Sequence, residues 1–94
     1  MKISFSEEAI EVLRGLEVYV ENINTKGSGR RFIKRFKNSL KTYIQPNITY
    51  KLCNNEFLKD AGFSCIPISN WVIVFKIENN IFKVYDIIWG PLLT

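Results

Sequence analysis

Apolar positions change their period several times along this chain, and each change marks an element. Residues 2–5, KISF, alternate, with Ile3 and Phe5 on one side and Lys2 and Ser4 on the other, as in a short strand. From Ser6 the period lengthens. Ala9, Leu13, Leu16, Val20 and Ile23 recur at helical spacing, with Val12 and Tyr19 beside them. Ser6 is a good N-cap, and Glu7 and Glu8 in the first turn suit the helix dipole. Gly15 sits mid-helix, at a cost of about 1 kcal/mol relative to Ala. NTKGSG at 24–29 turns the chain. A second helix is predicted over 28–44, with Phe32, Phe36, Leu40 and Tyr43 as its buried stripe and Ile33 and Ile44 flanking. Pro46 stops it, and the short connection makes the two helices an antiparallel hairpin.

The second half reads as strands. Residues 49–53 have the look of a short strand and 55–61 of one helical turn closed by Gly62. FSCIPI at 63–68 is a strand, and Pro67, which has no N–H to give a ladder, places it at an edge or a strand end. SNWVIVFKIENNIFKVYDIIWG at 69–90 is a hairpin. Asn79 and Asn80 both tolerate the positive φ of a two-residue type I′ turn, which pairs Glu78 with Ile81 and Phe75 with Val84. Strict alternation then puts Trp71, Ile73, Phe75, Ile77, Phe82, Val84 and Ile88 on one face. The other carries Val72, Val74, Lys76, Lys83, Tyr85, Ile87 and Trp89. The first face packs on the helices, and Leu13, Leu16, Phe32, Phe36, Ile73 and Phe75 are the expected core. The second holds Val72, Val74, Tyr85, Ile87 and Trp89, an apolar patch of the kind that marks a partner surface. Asp86 falls on the packed face opposite Ile73, where only a bulge or a partner would accommodate its charge.

The predicted fold is therefore α+β: a short N-terminal strand, then an antiparallel helical hairpin packed on a small antiparallel β-sheet, in the order β-α-α-β-β-β. With 94 residues the chain is a single domain, residues 1–94. It lacks a run of 18 apolar residues, so no membrane span is expected. MKISFSEEAIEVL has no apolar signal-peptide core, which points to the cytoplasm. There is no His, which removes the Ser-His and Cys-His pairs and the imidazole general base. Cys53 and Cys65 lack CxxC spacing and have no His to complete a zinc site, so no metal and no cofactor are expected. Cys65 reads as a small buried hydrophobe; a disulfide with Cys53 stays open as the alternative, with a cytosolic chain arguing against it.

Net charge is +4, unevenly placed. Residues 22–55 hold eight basic residues and no acid, with Arg30, Arg31, Lys34, Arg35, Lys37 and Lys41 as a patch on the second helix. The first helix carries five Glu between Glu7 and Glu21 against one Arg14. Either the two helices complement each other as exposed pairs of small energetic weight, or the basic helix faces an acidic partner, nucleic acid or an acidic protein segment.

Read with these residues, the element order resembles the RelE/ParE toxin superfamily of bacterial type II toxin–antitoxin systems, over nearly the whole chain. ISFSEEAIEVLRGLEVYV is similar to the family's opening strand and N-capped helix. GRRFIKRFKNSL looks like its second helix, and FSCIPISNWVIVFKIENNIFKVYDIIWG like its closing sheet. The resemblance implies a cognate antitoxin as partner, with DNA gyrase or the ribosome as target, and no direct sequence-specific DNA binding by this chain alone. Ribonucleolytic members use basic residues on the sheet and a His, Arg or Tyr near the chain end to activate the 2′-hydroxyl and stabilise the phosphate. Here Ser64 stands where Arg is frequent, Asp86 where the last strand often has Arg, and Trp89 where His is frequent. What remains for such chemistry is Lys76, Lys83 and Tyr85. The departures favour a ParE-like toxin that binds a protein target, or a degenerate antitoxin-binding member, over a ribonuclease.

Overall fold

The computed structural model describes residues 1–45 and 48–93. Its elements are β1 (Lys2–Phe5), α1 (Glu7–Ile23), α2 (Ser28–Tyr43), α3 (Glu56–Asp60), β2 (Ser64–Ile68), β3 (Trp71–Glu78) and β4 (Ile81–Trp89), with a final 3-10 turn at Gly90–Leu93. The fold is α+β, a two-helix layer on one four-stranded sheet of order β1-β4-β3-β2. The sheet is mixed, which corrects the antiparallel sheet expected from the sequence. β1 runs parallel to β4, with Lys2 beside Ile81 and Phe5 beside Val84. Between them the chain runs through the helices to β2 at the opposite edge and returns through β3, a long connection of the kind a parallel pair requires.

β3 and β4 form the predicted hairpin. Asn79 and Asn80 hold φ of 53° and 60°, as a type I′ turn demands, and Glu78 pairs with Ile81 and Phe75 with Val84. The ladder then slips: Val74 lies opposite Asp86, leaving Tyr85 as the extra residue of a β-bulge. The bulge carries Asp86 off the packed face, resolving the conflict that strict alternation created. Ile87 comes onto the packed face instead, opposite Ile73, and is 2% exposed. Ile88 and Trp89 change sides with it, so their predicted faces are reversed. β2 is one of the two edge strands, where Pro67 can sit. The strand expected at 49–53 reduces to a single bridge between Leu52 and Ser64. The helical turn after it is present as α3, with Asn55 capping and Gly62 closing it in the left-handed region.

One core joins Ala9 and Leu13 of α1, Phe36 and Leu40 of α2, and Ile66, Ile68, Ile73, Phe75, Phe82, Val84 and Ile87 of the sheet. The rings of Phe75 and Phe82 stack at 4.2 Å at its centre. Of the expected core, Leu16 and Phe32 are only half-buried. The α2 seam runs through Gly29, Ile33, Phe36, Leu40 and Ile44, rotated from the predicted stripe, and Tyr43 is exposed. Gly29 explains the rotation. A Cβ there would lie 2.2 Å from the Glu17 carbonyl oxygen, so α2 turns its one residue without a side chain toward the α1 backbone. Gly15, by contrast, has nothing within 4 Å of a Cβ position and serves no close approach. The α1 stripe fades beyond Leu13, with Tyr19 and Ile23 exposed. The stop assigned to Pro46 lies outside the described residues. Tyr50 closes this end of the core: its ring meets Phe75 edge-on at 5.2 Å, and its hydroxyl donates to the Tyr43 carbonyl and accepts from the Gln45 N–H.

Candidate functional site

The far face of the sheet, away from the helices, collects the side chains of chemical interest. Alternation along β3 and β4 places Lys76 and Lys83 there as a directly opposed pair. Tyr85 joins them at the bulge, and Phe63, just ahead of β2, packs its ring on Tyr85 at 5.0 Å. The Lys76 ammonium sits 4.4 Å from the centre of the Phe63 ring, in cation–π geometry. The residues proposed for phosphate chemistry are therefore brought together, but not alone. Glu78 lies among them: its Oε1 accepts a hydrogen bond from the Tyr85 hydroxyl at 3.1 Å and pairs with the Lys83 ammonium at 3.7 Å. That hydrogen bond, with desolvation and the Glu78 charge adding to it, holds the Tyr85 phenol above its ordinary pKa. A proton acceptor would need the opposite shift. Asp86 shares the face, its Oδ1 accepting from the Ile87 N–H at 2.8 Å. Two carboxylates thus accompany two ammonium groups, a poor floor for a polyanion.

The bulge is held from below. Ser6 follows β1, and its N–H donates to the Val84 carbonyl at 2.9 Å. Its hydroxyl donates to the Tyr85 carbonyl at 2.5 Å while accepting from the Ala9 N–H at 3.1 Å. One side chain therefore caps α1 and occupies the bulge carbonyl, locking the helix start to the site.

The five residues of the expected partner patch do not share a surface. Val72 and Tyr85 are accessible on the far face. Val74 is on that face but 2% exposed, between its cross-strand neighbours Cys65 and Asp86. Ile87 is in the core, and Trp89 lies across from Trp71, their rings 5.2 Å apart, on the helix side. Cys53 and Cys65 are joined by a disulfide, correcting the reading of Cys65 as an isolated small hydrophobe. The Leu52–Ser64 bridge, with the Cys53 N–H donating to the Phe63 carbonyl at 2.9 Å, carries Cys53 alongside β2 within bonding reach.

The basic residues of α2 are all exposed but wrap around the helix. Arg35 lines a cavity of about 230 Å³ with Phe32, Ser39 and Trp71. Lys37 lies 5.5 Å from the Phe5 ring centre, and Arg31 reaches the Thr25 hydroxyl. Among the described residues no ion pair within 4.0 Å links α1 to α2. Glu21 instead caps α2. Its carboxylate accepts from the Gly27 N–H at 2.7 Å and the Gly29 N–H at 2.9 Å. Those two bonds lower its pKa, opposed by desolvation and helped by the charges of Arg31 and Arg30.

Sequence reasoning missed Phe63, Glu78 and Tyr50. The signal for Glu78 was present: the hairpin register places it diagonal to Lys83. Phe63 and Tyr50 depend on loop paths with no periodic signature. Among the described residues no helix is long and apolar enough to cross a membrane. No protein-family model matches the chain, and no curated protein does.

Proposed function

We propose that this chain is the toxin component of a type II toxin–antitoxin system, with a RelE/ParE-like fold. It acts in the ParE manner, by binding a protein target such as DNA gyrase in the cytoplasm, and a cognate antitoxin neutralises it. The observation that carries the reading is the element order β-α-α-α-β-β-β, in which the short α3 precedes β2 and the Asn79-Asn80 hairpin closes the sheet, together with the charge balance of the far face. Glu78 and Asp86 stand among Lys76 and Lys83, and the Tyr85 phenol is held protonated, so the surface suits a polypeptide better than a phosphate backbone. Val72 and Tyr85 offer apolar and aromatic contacts on that face.

Induction of the chain alone in a bacterial culture tests this, with DNA supercoiling and messenger RNA integrity followed together. Arrest with altered supercoiling and intact messages is the expected result. Arrest with cleaved messages would replace it with the second reading, a RelE-like, ribosome-dependent messenger RNA endonuclease. That reading draws on the clustering of Lys76, Lys83 and Tyr85 on one face. Joint Lys76→Ala and Lys83→Ala substitution would then abolish toxicity. Growth without arrest, from a folded chain, would leave a degenerate member that only binds antitoxin.

A further inference from the structure

Residues 54–62 form a lightly packed finger, in which Asn55 and Leu58 are half-buried and the rest are exposed. Its helix α3 contains no buried residue, and Phe57 at its tip is 82% exposed. At its base are the Leu52–Ser64 bridge, the bond from the Cys53 N–H to the Phe63 carbonyl, and the Cys53–Cys65 disulfide. Neither cysteine belongs to the main core. A cavity of about 290 Å³ opens beside the disulfide, lined by Cys53, Asn54, Asn55, Cys65, Pro67 and Val72 among others. Cys65 itself is half-buried, whereas Cys53 is 2% exposed.

We propose that Cys53 and Cys65 are a redox-active pair that exchanges with dithiol reductants, and that their state decides whether the finger is clamped to β2. A reductant thiolate entering the cavity attacks the Cys65 sulfur. The bond between the two cysteine sulfurs breaks, and Cys53 leaves as a thiolate and takes up a proton. The second thiol of the reductant then attacks the mixed disulfide and releases Cys65, also protonated. Two electrons and two protons pass from the dithiol to the pair, and the reductant leaves as its own disulfide. Reduction removes the covalent tie of a lightly packed element, so the finger keeps only the backbone bonds at its base and loosens from β2 and from its place beside Val72. The core is built from other residues and stays intact. The reverse exchange, in which the two thiols reduce the disulfide form of the same dithiol, closes the clamp again. This inference is independent of the toxin reading.

Hydrogen exchange of the full chain, with and without dithiothreitol, tests it, with thiol alkylation counted by mass in the same samples. The expected result is two new thiols under native conditions and at least about tenfold faster exchange at 54–62. Residues 71–89 should stay within about twofold. The double substitution Cys53→Ser with Cys65→Ser should show the fast finger whether or not reductant is present. Three outcomes would overturn the proposal: a pair that dithiothreitol cannot reduce without denaturant, a finger that exchanges equally in both states, or a rise shared by the whole domain, which would make the disulfide a global staple.

Discussion

The two faces of the sheet are built from the same two strands and stabilised by different physics. The helix face is closed by shape. Ile73, Phe75, Phe82, Val84 and Ile87 are each at most 2% exposed, covered by Ala9, Leu13, Phe36 and Leu40. Neither α1 nor α2 covers the far face. It is organised by Phe63, Tyr85 and the two lysines in ring and ammonium contacts, by Glu78 between them, and by one disulfide. Burial on the first face contributes energy through area and is indifferent to direction. The second face depends on a few directional contacts, each worth little when exposed. Stability therefore concentrates on one side and adaptable chemistry on the other, and Tyr85, the extra residue of the bulge, decides which side chain of β4 goes where.

Substitutions should separate the two faces by the size of their effect. Phe82→Ala empties the centre of the helix face, where Phe82 is fully buried and stacked on Phe75. It should cost about 3–5 kcal/mol in urea unfolding, a large share of the stability of so small a domain. Gly29→Ala strikes the helix layer above the same core. Its new Cβ meets the Glu17 carbonyl and forces α1 and α2 apart, at about 1–3 kcal/mol.

Deletion of Tyr85 is the sharper test of the comparison. It makes the ladder regular, with Val84 and Ile87 still inward and Asp86 still outward. The chain should fold, losing about 1–2 kcal/mol with the Ser6 hydrogen bond and the Phe63 contact. If the deletion instead unfolds the domain as Phe82→Ala threatens to, the far face carries more of the stability than its contacts suggest. Gly15→Ala should stabilise by about 0.5–1 kcal/mol, since the site is open and Gly only weakens the helix.

The smallest effect should come from Glu21→Gln, and it should depend on pH. The folded carboxyl has a lowered pKa, so its contribution is present above the ordinary carboxylate range and is lost as pH falls through the folded value. Melting temperatures of the variant and the parent should differ at neutral pH and converge in acid.

Most of the fold was legible because local rules govern most of it. The Ser6 cap, the two helical periods, the Asn79-Asn80 turn and the pairing beside it all follow from residues close in sequence. The candidate site was legible only up to the bulge. Lys76 and Lys83 lie between it and the turn and Tyr85 is the bulged residue itself, and their common face followed from alternation. Ile87, Ile88 and Trp89 lie beyond it, and a one-residue slip reverses every face after it.

What the sequence determined by itself was therefore the set of elements apart from the strand expected at 49–53, their order and the hairpin register at its turn, each encoded in spacing and caps within a few residues. The tertiary structure alone decided the parallel docking of β1, the rotation of α2 onto Gly29, the bulge at Tyr85 and the union of Cys53 with Cys65. Each of these joins segments distant in sequence, or settles a competition such as Asp86 against Ile87 for a place in the core. Such competitions are resolved by burial and close approach, which exist only once the helices lie on the sheet.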